Sequence, residues 1–202
     1  GEPAVVPIPE DSDLAPINTY GASKLAFERI VELAEVSGEL SAMRLRYFNV
    51  AGALPDGSLG EAHHPETHIV PRLLAAAASG EAFTVFGDDY PTPDGTCVRD
   101  YIHVVDLAEA HLAAAEYLLG GGAGLACNLG SGRGYSNLEL ARACADVVGH
   151  EVEVVVGPRR PGDPATLVAA ISRAREVLGW VPSRDLTAMF ADAQRWHATH
   201  PD

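Results

Sequence analysis

Lysine is almost missing from this chain: of fourteen basic residues in 202, thirteen are arginine and one, Lys24, is lysine. Cysteine is also scarce. Cys97, Cys127 and Cys144 are odd in number and show no paired spacing, which fits reduced, buried thiols better than a disulfide or zinc framework. Net positive charge is absent. A formal charge of −14 and a pI near 4.8 repel phosphate backbones and anionic lipid, so nucleic acid and membrane surfaces are not expected partners. A small anion would need locally converging arginines. No apolar run approaches the roughly 20 residues of a membrane helix and no basic, apolar leader is seen, so the expectation is a cytoplasmic protein.

The hydrophobic content of 47% suffices for one substantial core, or for one domain with part of a second. Residues 1–16 hold Pro3, Pro7, Pro9 and Pro16 without periodicity and read as an extended loop. Phe27, Ile30, Val31 and Ala34 recur at helical spacing, predicting a helix over 19–36 that Gly38 stops. A strand over 43–50, a polar loop to about Glu66, a helix ending at Gly80 and a strand over 83–86 follow. Residues 87–98 carry Pro91, Pro93 and Gly95 and read as irregular. Beyond them come a helix over 106–119, a strand over 125–129, a helix opened by the Ser136/Glu139 capping pattern, a strand over 151–156, and helices over 172–178 and 186–197. Strands alternating with helices indicate an α/β protein.

Tyr20 and Lys24 stand four apart on the first helix and therefore share a face. The chain's one lysine falls four after one of six tyrosines, a placement expected at random in roughly three per cent of cases. An ammonium beside a phenol favours the phenolate, the form that accepts a proton. Gly130-Ser131-Gly132-Arg133-Gly134 lies between a strand and a helix, but the third glycine of a dinucleotide fingerprint would fall on Tyr135. It reads as a tight turn without a cofactor. His63, His64 and His68 suggest a metal, yet no carboxylate or cysteine completes a familiar ligand spacing, and the trio reads as a loop motif.

The blocks Tyr20-Gly21-Ala22-Ser23-Lys24, Arg46-Tyr47-Phe48-Asn49, Phe86-Gly87-Asp88-Asp89-Tyr90-Pro91-Thr92, Asp94-Gly95-Thr96 and Val98-Arg99-Asp100-Tyr101-Ile102-His103-Val104 occur in order. With Pro158 to Asp163 and Leu178-Gly179-Trp180 they cover the chain. In these the sequence resembles the UDP-glucose 4-epimerase family of extended short-chain dehydrogenases. The resemblance implies the C-terminal part of a Rossmann-type parallel sheet with a smaller α/β substrate-binding domain. Residues 1–50 would belong to the NAD-binding domain and 51–202 mainly to the nucleotide-sugar domain, with segments returning to the Rossmann sheet. It implies that Tyr20 takes the proton of the sugar 4-hydroxyl, that Lys24 holds the nicotinamide ribose, and that Phe48 lines the nicotinamide of a retained NAD. Asn49, His68, Ile69, Thr84, Val85, Phe86, Arg99, Arg160 and Asp163 would bind the UDP-sugar. Leu167, where some members carry an aromatic residue, would leave room for an N-acetylated sugar. The arginines and Tyr20 are expected to line one cavity.

The family's glycine-rich strand-loop-helix and a catalytic serine would precede the position of Gly1. The chain is thus expected to be a portion that binds UDP weakly, does not bind NAD measurably, exposes an unpaired sheet edge, and forms a homodimer when complete. The alternatives are a related dehydratase or decarboxylase, against which the 87–96 block argues, a non-catalytic UDP-sugar-binding module, and a structural interaction domain without a ligand.

Overall fold

Asn18 opens the first helix by accepting the Gly21 amide on its Oδ1 at 2.8 Å, so α1 runs over Thr19–Val36, as the periodicity predicts. The computed structural model describes residues 2–200 of the chain. None of α1 is fully buried, and Phe27, Ile30 and Leu33 face solvent. Its other side is held by charge: Glu28 pairs with Arg46, and Glu35 pairs with Arg44 while accepting the Ala42 amide at 2.9 Å.

The predicted strand over 43–50 is two strands. β1 (Met43–Tyr47) pairs in parallel with β5 (Leu125–Leu129), whereas β2 (Asn49–Ala51) pairs in parallel with β4 (Val98–His103). Phe48 is the break, its amide donating to the Leu129 carbonyl at 3.0 Å. β4 is flanked by β2 and by the antiparallel β6 (Gly134–Ser136), and β8 (Thr166–Leu167) also pairs with it. β3 (Phe83–Phe86) and β7 (Val154–Gly157) form a separate parallel pair. Parallel partners need long crossovers, which the helices supply.

α2 (Ile69–Ser79), α4 (Asn137–Val148) and α6 (Leu186–Thr199) pack around Tyr101, Phe83 and Val85 in one core. α3 (Val104–Leu119) and α5 (Ser172–Leu178) cover β1 and β5 in a second, through Leu107, Ala110, Ala174 and Trp180. The Ser136/Glu139 capping box forms as expected. All three cysteines are free and buried, and burial pushes the Cys127 and Cys144 thiols up to about 11.

Two buried polar groups tie the layers together. His103, with no solvent exposure, accepts the Val105 amide on Nδ1 at 3.1 Å and so donates from Nε2 to Asp192 at 3.2 Å. Burial lowers its pKa, keeping it neutral. Asp100, also fully buried, accepts the Ser131 amide and hydroxyl on Oδ1, both at 2.7 Å, and the Gly132 and Ala169 amides on Oδ2, both at 3.0 Å. Burial pushes its carboxyl above the usual range, and these donors oppose that shift. The glycine-rich turn therefore aims its amides at a carboxylate of its own chain. A Cβ on Gly130 would sit 2.5 Å from Asp100 Oδ2.

Replacing Asp100 by asparagine puts an amide NH₂ against backbone donors that need an acceptor. At about 1–3 kcal/mol per unsatisfied buried group, the variant is expected to lose roughly 3 kcal/mol. Urea melts followed by circular dichroism would measure it, and a loss below about 1 kcal/mol would show that the turn does not depend on this carboxylate.

Candidate active site

Strand alternation and one open helix end build a cavity of about 230 Å³. Asn49 begins β2 at its edge and donates its side-chain amide to the Asp100 carbonyl at 3.2 Å, leaving its side-chain oxygen available. On β3, Thr84 and Phe86 reach the cavity. Val85, between them, is 1% exposed and belongs to the core. Phe83 also borders the cavity, whereas Val85 does not, which corrects the expectation for the Val85 side chain.

α2 opens onto the cavity through Thr67, His68, Ile69 and Val70. Its N-cap, His68, makes no side-chain capping bond and its first turn has no acidic residue; Glu66 takes the Thr67 and His68 amides, and the Ile69 and Val70 amides with the positive end of the helix dipole are left at the opening.

The arginines supply the charge. Arg99 on β4 donates Nη1 to the neighbouring Val98 carbonyl at 2.8 Å, and its Nη2 lies 3.6 Å from Asp163 Oδ1, too far for a hydrogen bond. Arg160, in the loop after β7, stacks its guanidinium 4.0 Å from the Phe86 ring centroid. Among the described residues no carboxylate lies within 4.0 Å of Arg160. Arg72 lies one turn into α2, over the Phe83 ring at 5.5 Å. Three arginines against Glu61 and Asp163 make the lining basic in a chain of charge −14. Guanidinium donors without full partners in a concave site are suited to the oxygens of a phosphate or diphosphate.

Asn49, His68, Ile69, Thr84, Phe86, Arg99, Arg160 and Asp163 thus share one cavity. Sequence reasoning missed Glu61, Thr67, Arg72, Tyr101 and Asn137, which also line it. Two had a legible signal: Arg72 stands three after Ile69 on α2, and Tyr101 two after Arg99 on β4, so each shares its neighbour's face. Leu167 does not reach the cavity. It is half-buried on β8, in register with Arg99, which does line the cavity.

Tyr20 and Lys24 share a face of α1, as their spacing requires, with the Lys24 Nζ 5.2 Å from the Tyr20 ring centroid. They and Phe48 do not line the arginine cavity, so the expectation of one cavity holding Tyr20 and the arginines fails for this chain. The reason is that α1 projects into solvent: Tyr20 is 71% exposed, and no segment of the described chain roofs the helix face. A shallow groove of about 410 Å³ does run from Ile17, three residues before Tyr20, to Arg160 and Asp163.

Known proteins are similar to this chain over its whole length. A UDP-glucose 4-epimerase of Lacticaseibacillus casei is 52% identical across the whole chain, which spans 62% of that protein. The crystal structure of UDP-glucose-4-epimerase from Stenotrophomonas maltophila, with bound NAD and formylated UDP-arabinopyranose, superposes with a TM-score of 0.95 at 38% identity, covering 99% of this chain and 60% of that one. The Bifidobacterium longum UDP-glucose 4-epimerase in complex with NAD+ and UDP gives 0.92 at 38% identity, covering 100% of this chain and 61% of that one. The chain therefore spans about three fifths of the proteins it matches. Residues 1–130 match the model of the NAD dependent epimerase/dehydratase family. With more than half its length on that model, and the α/β architecture of the solved members, the chain belongs to the NAD dependent epimerase/dehydratase family.

Proposed function

We propose that this chain is the nucleotide-sugar-binding portion of a UDP-hexose 4-epimerase, with the diphosphate held in the arginine cavity and Tyr20 as the proton acceptor at the sugar. One observation carries the reading: Arg99 and Arg160, incompletely partnered, converge with the open end of α2 on one cavity. Thr84 and Phe86 offer a flat, partly apolar wall for a pyrimidine, and Asn49 and Asp163 offer polar groups for the diphosphate and ribose. The groove from Arg160 towards Ile17 supports a sugar extending to the start of α1, where Tyr20 and Lys24 stand.

The described residues fit NAD at one end. Tyr20, Lys24 and the half-buried Phe48 suit the nicotinamide ribose, whereas the Ser131 and Gly132 amides of the glycine-rich turn are already taken by Asp100 and give no seat to a pyrophosphate. Bound NAD would accept and return the hydride at the sugar C4. Tyr20, acting as phenolate, would take the 4-hydroxyl proton on its oxygen and return it after the sugar has presented its other face. Lys24 places its positive charge beside the phenol and holds the ribose. This assigns residues 1–50 to the cofactor domain and most of 51–202 to the substrate domain, with β5 returning to β1. The exposed apolar face of α1, Phe27, Ile30 and Leu33, supports association in a complete, cytoplasmic homodimer.

Calorimetric titration of the chain tests the proposal. UDP is expected to bind in the range of roughly 10 µM to 1 mM, with uridine at least about tenfold weaker and NAD showing no heat. Equal affinity for UDP and uridine would remove the arginines from the reading.

A further inference from the structure

The loop before α2 folds two Glu-x-His units, Glu61-Ala62-His63 and Glu66-Thr67-His68, onto each other. The sequence offers no familiar ligand spacing here; the folded loop, not a standard spacing, brings carboxylates to two of the histidines. One ligand atom from each of Glu61, His63, Glu66 and His68 lies within 4.8 Å of the other three. Glu61 Oε1 is 3.0 Å from His63 Nδ1 and 2.6 Å from His68 Nδ1, and Glu66 Oε1 is 3.2 Å from His68 Nδ1. The two imidazoles meet edge to face with centroids 4.8 Å apart. His64, the third histidine of the sequence trio, is not part of the cluster.

These separations approach the edge of a coordination tetrahedron, since ligands about 2.0–2.2 Å from zinc stand roughly 3.4 Å apart. Two imidazole nitrogens with two carboxylates suit a borderline transition-metal ion, whereas calcium and magnesium prefer oxygen alone. The Glu66 oxygen is also held in place by the Thr67 and His68 amides, both at 2.7 Å, the kind of outer support that metal ligands receive. Both histidines are about half exposed, which gives an ion a path in, and the carboxylates are mostly covered.

We propose that Glu61, His63, Glu66 and His68 form a binding site for a divalent transition-metal ion of the zinc class. The site lies at the rim of the nucleotide cavity, which Glu61 and His68 also touch, and opens on its other side to a groove containing His150 and His197. A bound dication would cancel the two carboxylate charges there. The proposal stands apart from the nucleotide reading, because its test uses the metal alone.

The full chain, treated with chelator and moved into phosphate-free buffer, would be titrated with zinc chloride against a chromophoric chelator. One equivalent is expected to bind with a Kd below about 10 µM. His63→Ala and Glu66→Gln, neither of which lines the nucleotide cavity, are each expected to weaken binding at least about tenfold. The double variant His150→Ala/His197→Ala is expected to bind as the parent does. Melting curves followed by circular dichroism would confirm that the variants are folded, and either folded single variant suffices for the comparison. Absence of saturable uptake would mean that imidazole-to-carboxylate hydrogen bonds alone explain the cluster. That result, unchanged affinity in the folded single variants, or loss in the double variant, overturns the proposal.

Discussion

Replacing Arg99 and Arg160 together by alanine is expected to weaken UDP binding at least about 100-fold without unfolding the chain. Hydrogen bonds to charged groups contribute about 1.5–3 kcal/mol each, so losing one from each guanidinium removes roughly 3 kcal/mol or more, and about 1.4 kcal/mol is a tenfold change. The fold is expected to tolerate the change because neither side chain anchors it: Arg99 has a long contact with Asp163, and Arg160 rests on Phe86. Arg160→Lys separates charge from shape. A lysine keeps the charge but loses the planar stack and the paired donors, so an intermediate loss is expected, smaller than that of Arg160→Ala. Calorimetry on the folded variants measures all of these. A double variant within about twofold of the parent would mean that the arginines are surface groups.

Tyr20→Phe removes one oxygen atom, yet its expected effect is larger in rate than that of any other single change. The measurement uses the chain joined to the portion of the Lacticaseibacillus casei relative that it does not span, assayed for conversion of UDP-galactose to UDP-glucose. Loss of a positioned proton acceptor costs typically about 10²–10⁴-fold in rate, so kcat is expected to fall by that much. KM should stay within about threefold, because the binding cavity lies elsewhere. Lys24→Ala should lower kcat as well, through the charge it places beside the phenol. A Tyr20→Phe variant retaining more than a tenth of the parent kcat would take the proton transfer away from this residue.

Much of the architecture was legible because local signals agreed with tertiary packing. The helix over 19–36, the Gly80 stop of α2 and the capping box of α4 all have short-range causes, and all appear where the sequence places them. β4 was not legible. In Val98–His103 the residues that run deepest include Asp100 and His103, whose burial depends on donors and acceptors far along the chain, so polarity hid a central strand. The split of 43–50 at Phe48 was hidden for a related reason: both halves are strand, and only their partners differ. In the site, the resemblance to the family pointed to the arginine cluster, but it gave Thr84, Val85 and Phe86 as one strand, and the Val85 side chain belongs to the core. The Glu61 and Glu66 carboxylates were missed because a folded loop, not a fixed spacing, brings them to the histidines.

The most direct test of the central claim is a crystal structure of the chain with UDP. The account predicts diphosphate oxygens within hydrogen-bonding distance of both Arg99 and Arg160 at the open end of α2, with the uracil against Thr84 and Phe86. Nucleotide bound with its phosphates directed away from both guanidinium groups would contradict it.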